Sequence, residues 1–149
     1  MKEKQDVEKL LLEGKTVMIP LNGLSMYPFL IGGRDRVILS PLKEGEKLRR
    51  GDVLLYRRKG SILILHRLVK LKDGGLYFTG DNQVEIEGPL DREQVRGKMT
   101  GFERKGREHS VNFFPYRFCT GLWRLALPLR PLAWGFLRGV RKVFRKQGN

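Results

Sequence analysis

The sequence predicts a mainly β domain with a helix at its N-terminus and a basic helical tail at its C-terminus. Its 149 residues fit one domain with a single core. Short aliphatic and aromatic runs alternate with turns rich in glycine, aspartate and proline, which is typical of an all-β fold. The first residues place apolar side chains at helical spacing, and the composition changes to aromatic residues, leucine and arginine from Tyr116 onward.

The first predicted element is a short amphipathic helix over residues 5–13. Val7, Leu10 and Leu11 fall at helical spacing, and Gly14 is a typical helix C-terminus. Charged residues flank its short apolar run, so the segment suits neither a signal peptide nor a transmembrane helix. We therefore expect a cytoplasmic protein that can associate peripherally with a membrane.

Seven strands are predicted in the middle of the chain. They cover residues 16–19, 36–39, 53–56, 62–69, 76–79, 95–101 and 109–113. The segments 43–50 and 84–93 are polar and are predicted to be irregular. Within the 62–69 strand, the two-residue alternation places His66 on the apolar, inward face and Arg67 on the opposite face.

A candidate nucleophile, Ser25, lies in a turn-rich segment between two apolar runs. A serine hydroxyl needs a neighbouring base, and histidine is the best general base at neutral pH. Of the two histidines, His66 points inward, whereas His109 is expected to be exposed. Three lysines are alternative bases, but each lies in or beside a turn, and a catalytic lysine needs burial. These are Lys59, Lys70 and Lys72.

Four sequence blocks point to a family. They are Gly23-Leu24-Ser25-Met26-Tyr27-Pro28, Arg50-Gly51-Asp52-Val53, Leu65-His66-Arg67-Leu68-Val69 and Thr79-Gly80-Asp81-Asn82. In this order they resemble the serine-peptidase superfamily of type I signal peptidases and LexA-like self-cleaving repressors, over roughly residues 15–101. Most bacterial signal peptidases have lysine at the position of His66, whereas the archaeal and endoplasmic reticulum enzymes have histidine.

The resemblance implies roles for individual residues. It makes Ser25 the nucleophile, His66 the general base and Asp81 the acidic partner. In the histidine-using relatives a second acid lies a few residues further on, where this chain has Glu85 and Glu87, so either could orient the imidazole instead.

The resemblance also implies a fold and a substrate groove. The fold would be a compact half-open barrel of coiled β-sheets with an N-terminal helix and a C-terminal helical tail. Met26 and Pro28 would help to form the substrate groove, although plain core packing explains such residues equally well. Relatives place an oxyanion-binding serine where this chain has Gly23, which leaves the second oxyanion donor open.

These features predict a serine endopeptidase that cleaves an extended peptide or protein leader and needs no metal or cofactor. Cys119 is the only cysteine, so no internal disulfide can form, and two distant histidines do not complete a zinc site. One alternative is a non-hydrolytic peptide-binding or maturation-accessory module docked on a membrane. Another is a self-cleaving regulator, but no DNA-reading segment precedes the predicted domain.

The formal net charge of +14 is concentrated toward the C-terminus, where residues 102–149 contain eleven Lys and Arg against two Glu. We therefore divide the chain into a β domain (1–115) and a basic tail (116–149), with helices predicted over 117–127 and 132–146. The tail suits an anionic membrane surface, or its apolar residues could cover the sheet. Nucleic acid is a weaker partner because no recognition motif accompanies the charge. The residues expected at the membrane are Trp123, Trp134, Arg138, Arg141, Lys142 and Arg145.

Overall fold

The computed structural model describes residues 2–59 and 62–132, with side chains from residue 7 onward. Within these ranges eight strands form one antiparallel sheet that is not closed. The strands are β1 (Val17–Pro20), β2 (Asp35–Ser40), β3 (Val53–Arg58), β4 (Ile62–Lys72), β5 (Gly75–Thr79), β6 (Glu87–Leu90), β7 (Val95–Arg104) and β8 (Arg107–Ser110). The helices are α1 (Lys2–Leu12) and α2 (Phe114–Leu125), with short 3-10 turns at Arg92–Gln94 and Leu127–Leu129. The mainly β prediction is therefore confirmed.

The sheet is organised around β7. Its strand order is β1-β2-β7-β3-β4-β5-β6, and β8 pairs with the second half of β7. Lys98 of β7 pairs with Ser40 of β2 on one side and with Leu54 of β3 on the other. Bulges interrupt both of these pairings, and bulges increase strand bending and twist.

Each face of the sheet carries its own apolar cluster. The first cluster is covered by α1, by the segment between β1 and β2, and by Tyr116 of α2; it includes Leu11, Met26, Leu30, Val37, Leu39, Val53, Leu55, Met99 and Phe102. The second consists of Leu48, Leu54, Tyr56, Leu68, Leu76, Phe78 and Val95. Because Leu54 pairs with His66 across the sheet, His66 belongs to the face of the second cluster.

The predicted elements compare closely with those observed. The N-terminal helix ends as expected before Gly14, whose φ of +83° is the left-handed conformation that glycine favours. The prediction of an irregular 84–93 segment is wrong, because it contains β6 and a 3-10 turn. Pro89 obscured this strand; an edge strand tolerates proline because one side of it needs no ladder hydrogen bonds.

His109 also differs from expectation. It lies on β8 and is half-buried, with its ring 5.2 Å from that of Phe102 in a stacked arrangement. The sequence pattern missed this because the stacking partner is on β7, opposite His109 in the register.

The helix predicted for 117–127 is confirmed as α2 and the 3-10 turn that follows it. Pro115 lies in the first turn of α2, where its missing N–H costs no hydrogen bond. The helix predicted for 132–146 lies outside the described residues, apart from Leu132. Among the helices that the structure describes, none is both long and apolar enough to cross a bilayer.

Candidate active site

Ser25 lies in a series of turns between β1 and β2 that closes on itself through backbone hydrogen bonds. The Gly32 N–H donates to the Gly23 carbonyl oxygen at 3.1 Å, and the Gly33 N–H donates to that of Leu21 at 3.0 Å. A Cβ at Gly32 would lie only 2.4 Å from the Gly23 oxygen, so this closure requires glycine. The turn therefore holds Ser25 half-buried at a fixed position.

A buried carboxylate ties the end of this turn to β7. Asp35 accepts hydrogen bonds from the Ile31 N–H and from the guanidinium groups of Arg34 and Arg104. Arg104 also donates to the carbonyl oxygen of Phe29 at 2.6 Å. Burial opposes ionisation of Asp35, but these hydrogen bonds outweigh it and hold its pKa well below the ordinary value. The turn is thus anchored through an ion-pair network instead of by apolar contacts alone.

The two residues predicted to form the groove occupy different environments. Met26 is only 1% exposed and packs in the first apolar cluster, so it acts as core. Pro28 is exposed. Leu24 and Tyr27, in the same turn, are also exposed.

The backbone conformation at position 23 explains why glycine stands where the resemblance implies a serine. Its φ is +81°, in the left-handed region where side chains are strained. A serine at this position would require a different turn conformation.

The Ser25 turn contacts the loop between β5 and β6. The Asn82 N–H donates to the Ser25 carbonyl oxygen at 2.8 Å. A Cβ at Gly80 would lie 2.5 Å from the same oxygen, so the missing side chain makes room for Ser25. Arg67 pairs with Thr79, and extending that register by one residue puts His66 opposite Gly80 on the same face of the sheet. The backbone of Ser25 therefore packs against the residue that this register puts opposite His66.

His66 belongs to a hydrogen-bonded chain that is buried at His66 and Tyr56 and reaches the surface at Arg58. The Tyr56 hydroxyl lies 3.3 Å from His66 Nδ1 and donates to Glu87 Oε2 at 2.7 Å. Arg58 donates two further hydrogen bonds to the Glu87 carboxylate. Because the single Tyr56 proton is directed to Glu87, the tyrosine oxygen is left to accept a hydrogen bond from His66 Nδ1–H. This assigns the neutral tautomer with Nδ1 protonated and the Nε2 lone pair available as a base.

The pKa shifts of these groups favour a neutral imidazole. Burial lowers the pKa of His66 below its ordinary value of 6.5, against the opposing effect of the Glu87 carboxylate. The Arg58 hydrogen bonds lower the pKa of Glu87. Burial and the Glu87 charge both raise the pKa of Tyr56. At neutral pH the chain therefore consists of an ionised carboxylate, a neutral phenol and a neutral imidazole.

Asp81 has a different partner from the one expected. Its carboxylate accepts hydrogen bonds from Arg67 Nε at 2.7 Å and Nη2 at 2.6 Å, and both side chains are buried. Arg67 also donates to the Gly51 carbonyl and the Tyr116 hydroxyl. In the described part of the chain no hydrogen bond joins Asp81 to His66. The pair instead fixes the loop that carries Gly80 and Asn82.

The two alternative acids, Glu85 and Glu87, lie in different surroundings. Glu85 has an exposed side chain, and its carbonyl oxygen accepts a hydrogen bond from the Thr79 hydroxyl at 2.7 Å. Glu87 is connected to His66 through Tyr56. Among the described residues, no hydrogen bond joins the Ser25 hydroxyl to His66.

Helix α2 supports the Asp81 loop from outside the sheet. Trp123 Nε1 donates to the Asp81 carbonyl oxygen at 2.8 Å, and Arg130 Nη1 donates to the same oxygen at 3.2 Å. The Arg130 guanidinium also lies over the Trp123 ring, 4.6 Å from its centroid. Trp123, which the sequence predicts at a membrane surface, is half-buried and bonds to the loop through its indole N–H; its contact with a membrane stays a prediction. The other residues expected at the membrane, Trp134, Arg138, Arg141, Lys142 and Arg145, lie outside the described residues.

The sequence reasoning did not identify Tyr56 as a site residue. The signal lies in the strand register and not in the local sequence pattern: Tyr56 is two residues from Leu54, which pairs with His66, so alternation puts Tyr56 and His66 on one face. No cluster of three or more potential metal ligands occurs in the described ranges.

No protein-family model and no curated protein matches the chain.

Proposed function

We propose that the protein is a serine endopeptidase with the half-open β-barrel of the type I signal peptidase and LexA-like superfamily. Ser25 is the nucleophile, His66 the general base, and Glu87 the acid that acts on His66 through Tyr56. The fold supports this proposal at the level of an open, mainly antiparallel sheet with strongly bulged strands.

One observation carries the proposal: the Ser25 turn packs on Gly80, the residue that the β4–β5 register puts opposite His66. Adjacent strands are about 4.8 Å apart, and the Ser25 carbonyl oxygen lies against Gly80, which supports a site in which the Ser25 and His66 side chains can meet. The packing uses the missing Cβ of Gly80, so it depends on this residue type.

The proposed mechanism follows from the tautomer of His66. Nε2 accepts the Ser25 proton as Oγ attacks the scissile carbonyl carbon, and the Ser25 N–H contributes to binding the oxyanion. The imidazolium then gives that proton to the leaving amine as the peptide bond breaks. Water, deprotonated by Nε2, hydrolyses the acyl-enzyme and returns Ser25 to its starting state.

In this scheme the Glu87 carboxylate acts on His66 through Tyr56 and not by direct contact. When His66 becomes positively charged, its Nδ1–H strengthens the hydrogen bond to the Tyr56 oxygen, and the Tyr56 hydroxyl stays polarised by Glu87. Arg58 keeps Glu87 ionised. Tyr56 thus replaces the direct carboxylate contact of a serine-histidine-aspartate triad.

The substrate class follows from what surrounds Ser25. Four exposed apolar side chains lie on the two segments joined by the Asn82–Ser25 hydrogen bond, namely Leu24, Tyr27, Val84 and Ile86. Exposed apolar side chains beside a sheet suit an extended peptide, whose alternate side chains can pack on them. We expect cleavage of extended peptides with apolar residues near the scissile bond.

The test is peptide hydrolysis by purified variants, followed by mass spectrometry of a synthetic peptide library. Ser25→Ala and His66→Ala are each expected to abolish cleavage while their circular dichroism spectra match wild type. Ser110→Ala and His109→Ala are the matched controls and are expected to retain activity. Undiminished turnover in Ser25→Ala or His66→Ala would refute the pairing.

A further inference from the structure

We propose that the outward face of α2 docks in the plane of an anionic lipid bilayer. Four side chains define this face, called here the outer stripe: Phe114, Phe118, Leu122 and Leu125. They are between 53% and 76% exposed. Their spacing of four, four and three residues is that of one face of a helix.

The exposure of the outer stripe does not result from a loosely attached helix. The opposite face of α2 packs against the domain, with Tyr116 and Thr120 buried and Trp123 bonded to the Asp81 loop. Arg124 adds a hydrogen bond to the Arg50 carbonyl oxygen at 2.6 Å. The helix therefore presents a second, apolar face to solvent, and Leu129 and Leu132 beyond it are also exposed.

The charges around the outer stripe select an anionic partner. From residue 109 onward the chain contains eight Lys and Arg and neither Asp nor Glu. Arg117 is exposed on α2, and Arg49 and Arg50 are exposed on the loop that Arg124 contacts. Burial lowers the pKa of Arg124, and the neighbouring Arg67 and Arg50 lower it further.

A bilayer with anionic headgroups satisfies both properties of this surface. Apolar side chains of an in-plane helix insert at the boundary between headgroups and acyl chains, while arginines bind the phosphates. A second copy of the chain would match the apolar stripe but would bring two purely basic segments together. Nucleic acid would match the charge but leave the apolar stripe in water. The bilayer is the partner that fits both.

The test is co-sedimentation of the full-length protein with phosphatidylcholine vesicles that contain or lack phosphatidylglycerol. Wild type is expected to bind the anionic vesicles selectively. The triple variant Phe118→Gln, Leu122→Gln, Leu125→Gln keeps the net charge and is expected to lose more than about tenfold in affinity. The double variant Ile62→Gln, Leu71→Gln removes exposed apolar groups from β4 and is the matched control, with unchanged binding.

Three results would overturn the proposal. Equal binding by the triple variant would mean that charge alone drives association. A wild-type dimer that the triple variant converts to a monomer would assign the stripe to a second copy. Loss of the folded circular dichroism spectrum in the triple variant would mean that the stripe packs within the chain. These readouts do not depend on peptidase activity.

Discussion

The most informative single substitution is Tyr56→Phe. It removes one hydroxyl and keeps the ring, which is fully buried and stacked on Phe78 at 4.4 Å. The change deletes both links of the chain between His66 and Glu87. Tyr56 cannot contact substrate directly, so any effect on turnover must act through His66.

The expected magnitude follows from the lost hydrogen bond. A hydrogen bond to a charged group contributes about 1.5–3 kcal/mol, and about 1.4 kcal/mol corresponds to a tenfold change in rate. If most of that stabilisation is used in the transition state, kcat should fall about 10- to 100-fold with KM nearly unchanged. The pattern would identify Tyr56 as a positioning residue.

Two measurements check this prediction. Steady-state kinetics on a cleaved peptide give kcat and KM separately. Nitrogen-15 chemical shifts of His66 report the tautomer, which should be Nδ1-protonated in wild type and mixed in Tyr56→Phe. Tyr77→Phe on the opposite face of β5 is the matched control and should leave both unchanged. A Tyr56→Phe enzyme with wild-type kcat and an unchanged His66 tautomer would refute the proposed chain.

Three further predictions concern the acids and the base. Asp81→Asn should reduce the free energy of unfolding, measured by urea denaturation, by about 3 kcal/mol, because it leaves the buried Arg67 guanidinium without its charge partner. A loss under about 1 kcal/mol would contradict the inference that the Asp81–Arg67 pair fixes the loop that carries Gly80 and Asn82. Glu87→Gln should lower kcat with little change in stability, whereas Glu85→Gln should alter neither; equal effects of the two would exclude the assignment of Glu87. Because burial lowers the pKa of His66, kcat/KM should rise with pH through an apparent pKa below 6.5. Between about pH 6.5 and the lower pKa of His66 in the folded protein, the imidazole is protonated in the unfolded chain but not in the folded one. The free energy of unfolding should therefore fall as the pH drops through this range, and His66→Gln should lack this fall.

Local pattern was sufficient to predict most of the secondary structure. Strand alternation correctly placed His66 inward, and Gly14 correctly marked the end of α1. These features are set by residues that are close in sequence, so composition and periodicity are enough to predict them. The edge strand β6 was not predicted from the sequence, because its proline and exposed residues are also typical of a loop.

The connections of the site could not be predicted in the same way. The partner of Asp81 is Arg67, and the partner of His66 is Tyr56; both depend on cross-strand register and on which face each strand presents. The inward orientation of Trp123 likewise depends on how α2 docks against the Asp81 loop. An amphipathic helix has a recognisable apolar face in sequence, but α2 has apolar residues on both faces, so the pattern did not decide which of them packs.

Site-resolved labelling by an acylating serine probe tests the central claim most directly. Intact-mass and peptide-level mass spectrometry should find one adduct, on Ser25, in wild type and in His109→Ala. The adduct should be absent from His66→Ala, and its rate of formation in wild type should rise as His66 loses its proton. A Ser25 that stays unmodified in the folded wild-type protein, or that reacts equally fast without His66, would contradict the account and favour a non-hydrolytic peptide-binding module.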